Sequence, residues 1–119
     1  MTTKKEKVNI LGEVWEVIEG TEAEFPGLKD NDGYTDSSVR RMVIDDMTKT
    51  AGDPIAKADM DAYKRQVIRH EVVHAFLEES GLSSSSGGTA HWAENEEMVD
   101  WIAIQAPKIC KAFVDLEIL

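Results

Sequence analysis

Several things are scarce in this sequence, and each scarcity narrows the reading. There is one cysteine, Cys110. It excludes an intramolecular disulfide and fits a reducing compartment. No apolar run approaches the roughly 20 residues that span a bilayer. The N-terminus reads Met1-Thr2-Thr3-Lys4-Lys5-Glu6-Lys7 and lacks the apolar core of a secretory leader. Positive charge is also short: 13 Lys and Arg stand against 23 Asp and Glu, a net charge of -10. That balance argues against nucleic-acid phosphates and anionic membrane surfaces as partners. A chain of 119 residues suits a single domain spanning 1–119. The expectation is a cytoplasmic domain that binds neither nucleic acid nor membrane.

The first 50 residues have strand character. Val8 to Glu19 alternates around Leu11-Gly12 and predicts a β-hairpin. Gly20 to Gly33 is acidic and carries Pro26, Gly27, Asn31 and Gly33, the composition of a loop. Ser38 to Asp45 then predicts a third strand. The second half changes period. A helix is expected over 53–81, starting at Asp53-Pro54 or at the competing N-cap Asp59 and capped by Gly81. Its many apolar positions predict a buried helix. A flexible connector follows over 82–90, rich in serine and glycine. A last helix is expected over 91–119, kinked or split near Pro107. The fold class that results is α+β: a small three-stranded antiparallel sheet on two helices.

All three histidines fall between positions 70 and 91. Two belong to His70-Glu71-Val72-Val73-His74. Residues i and i+4 share one helix face, so both imidazoles can reach one ion. Zinc accepts such nitrogens, and Glu71 would sit beside the open position as a general base toward water. Chance alone gives this pattern in roughly 1 in 100 shuffled chains of this composition. Its place in a segment already read as helical adds weight.

A catalytic zinc takes three protein ligands. The continuation with Gly and His after His74 is ruled out, because Leu77 and Ser80 hold those positions. The downstream candidates for the third ligand are His91, Glu94, Glu96, Glu97 and Asp100. The stretch Asn95-Glu96-Glu97-Met98-Val99-Asp100 resembles the N-E-x-x-x-D pattern of gluzincins, the thermolysin-like zinc metallopeptidases. The resemblance implies Zn2+ held by His70, His74 and Glu96. It also implies that Asp100 orients His70 through its other ring nitrogen, and that Glu71 is the catalytic base. His91 then becomes a candidate hydrogen-bond donor to the oxyanion, beside Tyr34, Tyr63 and Arg40. In size the chain looks like the small ImmA/IrrE-type metallopeptidases and the minimal zincin-like proteins found among phage genes. One departure matters: the sequence ends at Leu119, soon after Asp100. The lower subdomain of thermolysin-like enzymes has no counterpart, so a shallow cleft, or one completed by a partner, is expected.

The function implied is zinc-dependent hydrolysis of a peptide or protein substrate, which would add as a strand to the sheet edge near Val39 to Ile44. The competing reading is a zincin-like scaffold with a structural zinc, acting as a binding module. A metal-free interaction protein is the third. Trp15, Trp92, Trp101 and Cys110 are expected to pack in or at the rim of the core.

Overall fold

Leu11 and Gly12 both adopt positive φ, 52° and 92°. This is the backbone of a two-residue hairpin turn whose twist matches its flanking strands. Asn9 Oδ1 accepts the Gly12 amide at 2.9 Å and steadies the turn. The turn joins β1 (Lys4–Ile10) to β2 (Glu13–Gly20) in antiparallel register, with Val8 opposite Trp15. The hairpin is therefore as the alternation predicts.

The remainder of the sheet differs from expectation. The structure, a computed structural model, describes residues 4–50, 52–53, 57–85 and 92–119. Two further strands appear, β3 (Gly33–Asp36) and β4 (Arg41–Asp45). The order is β1-β2-β4-β3, with β2 and β4 parallel and β3 antiparallel to β4. The sheet thus has four strands and is mixed, not three-stranded and antiparallel. β3 hides in the sequence because it is short, not alternating, and begins on a turn signal. The strand expected from Ser38 starts only at Arg41, because Arg40 at φ 50° breaks the extended chain.

β4 is a central strand, which explains its unbroken apolar run. Met42 and Ile44 pack toward the long helix, among Ile10, Trp15, Val67 and Ala75. Val43 alternates to the other face and is fully buried there too. That second face is covered by the segment after β2, where Leu28 is buried. β4 is paired on both sides, with β2 and with β3, so it has no free edge, and the substrate pairing expected near Val39 to Ile44 has no open strand there. The open edge on that side of the sheet belongs to β3.

Helix α1 runs Met60–Glu79. Its N-cap is Asp59, whose carboxylate accepts the Ala62 amide at 2.9 Å. It does not begin at Asp53, and Pro54 lies outside the described residues. Gly81 at φ 84° ends the helix as its sequence suggests. Only Val67, Glu71 and Ala75 are buried along α1, so it is half-covered by the sheet and not engulfed. A short helix, α2 (Leu82–Ser85), occupies the start of the expected connector, whose residues 86–90 lie outside the described residues.

Trp92–Glu94 forms a 3-10 turn, and α3 (Glu96–Asp115) starts after it. Asn95 is the N-cap and accepts the Met98 amide at 2.9 Å. The helix continues through Pro107 as one element. Pro107 has no N–H to give the Ala103 carbonyl. Arg69 Nε of α1 donates to that carbonyl instead, at 2.5 Å. Val99 and Ala103 are buried against α1, whereas every residue from 110 onward is exposed. The projecting helix is one reason the radius of gyration, 15.4 Å, exceeds the roughly 13.5 Å of a compact chain this long. Cys110 is therefore exposed and not core. Trp15 is buried, but Trp92 and Trp101 are on the surface. No helix among the described residues is long and apolar enough to cross a membrane.

Candidate metal centre

The site is built by two helices and one strand edge. On α1, Tyr63, Val67, His70 and His74 follow helical spacing and line one face of a cleft of about 760 Å³. Glu96 and Asp100, also i and i+4, reach it from the first turns of α3. β3 closes the third side with Gly33 and Thr35.

His70 Nε2 and His74 Nε2 each lie 2.9 Å from Glu96, one on each carboxylate oxygen. His70 Nδ1 is 2.6 Å from Asp100 Oδ1. The ring centroids of the two histidines are 4.9 Å apart. One donor atom from each of His70, His74 and Glu96 falls within 4.8 Å of the others. Thus the sequence-derived set of two imidazoles, one carboxylate and the orienting aspartate meets at one place. Glu97, the neighbouring alternative, is not part of this group; it lines an adjoining groove on α3.

The donor chemistry fits a cation. A neutral imidazole has one N–H and one lone pair. His70 can give its Nδ1–H to Asp100, and Nε2 then presents a lone pair to Glu96 at 2.9 Å. Two lone pairs at that distance repel. A proton or a metal ion must share the space, and the same holds for His74. Two nitrogens and one oxygen are the ligand types of a catalytic zinc site with a position left open. Asp100 stands where a carboxylate fixes the ring's tautomer and orientation.

Glu71 is only 6 % exposed. Its Oε1 accepts the Thr35 hydroxyl at 2.8 Å, and its Oε2 is 4.0 Å from His70 Nε2. Burial pushes the carboxyl above its ordinary range, and the Thr35 hydrogen bond and both imidazoles pull it back. Gly33 makes this approach possible. A Cβ there would sit 3.2 Å from both Glu71 Cγ and Val67 Cγ1.

No family model, curated protein or solved structure matches the chain. What this site does therefore rests on its own geometry.

The other candidates separate. Tyr63 lines the cleft and donates its hydroxyl to Asp32. Burial first, and then that bond, push its phenol up to about 12, so it stays protonated at neutral pH. The Tyr34 ring packs against Gly27, where an added Cβ would approach it to 2.8 Å. Tyr34 nonetheless contributes to the lining of the cleft, beside Gly33 and Thr35. Arg40 is bound at the far end of α1, its Nε donating to Glu79 at 2.6 Å, and does not reach the cleft. His91 lies outside the described residues. The sequence reading missed Asp32, Gly33 and Thr35. Nothing local marks them, since each matters only through strand pairing that brings β3 against α1.

Proposed function

We propose that this chain is a zinc-dependent peptidase. The observation that carries the reading is the shared position of Glu96 between the two Nε2 atoms, with Asp100 behind His70 and buried Glu71 beside it. His70, His74 and Glu96 would hold the ion. A bound zinc supplies a Lewis acid that acidifies water and polarises a carbonyl.

The protein groups then have defined tasks. Glu71 Oε2 is the oxygen left free by Thr35, and it takes the proton from the attacking water. The water oxygen forms a bond to the carbonyl carbon, and the C–N bond breaks. Glu71 passes its proton to the departing amine nitrogen. The raised affinity of this carboxyl for a proton suits both acts. Thr35 holds the other oxygen so that Oε2 stays turned to the cleft. Tyr63 lines the cleft and stays protonated, its hydroxyl given to Asp32, so it would have to turn from Asp32 to donate to an oxyanion. The free edge of β3 runs beside Glu71 and offers an extended substrate a pairing partner.

A scaffold with a purely structural ion is the competing reading. Glu71 favours the peptidase, because a structural site has no need of a buried base at that place. Metal content per chain, measured on protein purified without a histidine tag or added metal, is the first test. About one zinc per chain is expected. Glu71→Gln should keep the zinc and abolish hydrolysis. Absence of zinc after equimolar loading, or full hydrolysis by Glu71→Gln, overturns the proposal.

A further inference from the structure

A second groove, of about 600 Å³, runs along the outer side of α3. It is lined by Asn95, Glu97, Met98, Asp100, Trp101 and Ile104. Trp101 is 57 % exposed and Ile104 44 %. An indole lying open beside an isoleucine and two carboxylates is a poor arrangement for a surface with no partner. Helical spacing puts Glu97, Trp101 and Ile104 on one stripe. The groove adjoins the cleft at Asp100, which lines both.

The charge along the joined path has one sign. Asp32, Glu71, Glu96 and Asp100 line the cleft, and Glu97 joins Asp100 in the groove. Among the described residues, no lysine or arginine lines either. A divalent ion would offset only part of this. The first basic residue of α3 is Lys108, one turn beyond Ile104.

We propose that the Trp101–Ile104 groove docks a basic polypeptide segment with apolar residues beside its lysines or arginines, leading it over Asp100 into the cleft. A guanidinium or ammonium would lie on the Trp101 indole and between the Glu97 and Asp100 carboxylates. A neighbouring apolar side chain would cover Ile104 and Met98. An acidic segment would meet uncompensated carboxylates along the whole path. The inference rests on the peptidase reading for the direction of the chain, but the docking itself needs no hydrolysis.

The test is fluorescence anisotropy with a fluorescein-labelled peptide of alternating arginine and leucine, against one with glutamate in place of arginine. Both are titrated with the full chain, with Trp101→Ala, Trp101→Phe and Glu97→Gln, and with His70→Ala. Trp101 and Glu97 lie on the surface, so these variants keep the core. Trp101→Ala should weaken binding roughly five- to thirtyfold, and Trp101→Phe should restore most of it. Glu97→Gln should weaken it less, and the acidic peptide should not bind. His70→Ala should lose its metal and still bind the basic peptide. Equal affinity for both peptides, no effect of Trp101→Ala, or no binding of the basic peptide overturns the proposal. Binding that follows Trp101 without any hydrolysis by the zinc-loaded chain refutes the peptidase and leaves the groove standing. Hydrolysis indifferent to Trp101 does the reverse.

Discussion

Thr35→Val removes one hydroxyl and keeps the shape of the side chain. In the folded protein that hydroxyl donates to Glu71 Oε1 at 2.8 Å, on a carboxyl that is nearly enclosed. A hydrogen bond to a charged group contributes about 1.5–3 kcal/mol, and one between neutral groups about 0.5–1.5 kcal/mol. The loss should therefore depend on whether Glu71 is ionised. Burial raises the Glu71 folded-state pKa above its ordinary 4.5. Folding thus favours the protonated form, and the ionised form costs stability once pH rises through the folded value. The Thr35 hydroxyl limits that cost. Without it the folded pKa climbs further and the penalty at neutral pH grows. The destabilisation by Thr35→Val should be small near pH 5 and approach about 1.5–3 kcal/mol near pH 8. Urea unfolding across that range, with a chelator present so that no metal intervenes, reads the difference. Thr35→Ser should behave like the parent. A loss that is equal at every pH would refute the coupling between Thr35 and the Glu71 charge.

Other outcomes follow from other contacts. Asp100→Asn leaves the shape at His70 Nδ1 but removes the anion at 2.6 Å. Zinc affinity by competition titration should fall roughly 10–100-fold with folding intact; unchanged affinity would remove Asp100 from the site. Arg69→Met deprives the Ala103 carbonyl of its donor and should cost about 1–3 kcal/mol. In a Pro107→Ala background the restored N–H can serve that carbonyl, so the same Arg69 change should cost much less. Additive effects in that double-mutant cycle would show that Arg69 is not replacing the bond Pro107 lacks.

The parts of the fold legible in sequence are those set by neighbours within a few residues. Leu11-Gly12 names its own turn. Asp59 and Gly81 mark the ends of α1 through capping chemistry that acts over three or four positions. His70 and His74, and likewise Glu96 and Asp100, are each paired by helical spacing alone. The meeting of the two pairs follows from how two helices cross, and only the resemblance to the gluzincin pattern pointed to it. What could not be read depends on distant pairing. Gly33-Tyr34-Thr35-Asp36 becomes a strand because β4 lies beside it, and β4 is central because β2 runs parallel to it across a long excursion. Cys110 looked like a core residue because α3 is amphipathic along its length, and Trp101, expected in the core or at its rim, lies on the face of the first half turned away from α1. Only the structure shows that α1 covers its first half and leaves the second bare.

The two ends of α1 are fastened to the sheet. Trp15 Nε1 and Arg40 Nε both donate to Glu79 Oε1, at 2.8 and 2.6 Å, and Lys64 reaches Glu19 at 2.9 Å. α3 has no such moorings to the sheet among the contacts described; its side-chain bonds to α1 run through Arg69, His70 and His74. An ion gripped by His70, His74 and Glu96 would act as a rivet between a fixed beam and a hinged one. Part of its binding free energy would go into holding α3 down. Withdrawing it would leave the sheet and α1 intact while α3 exchanged its amide hydrogens faster. Order in this protein would then come in two grades: one built into the sheet and α1, the other conferred by the ion.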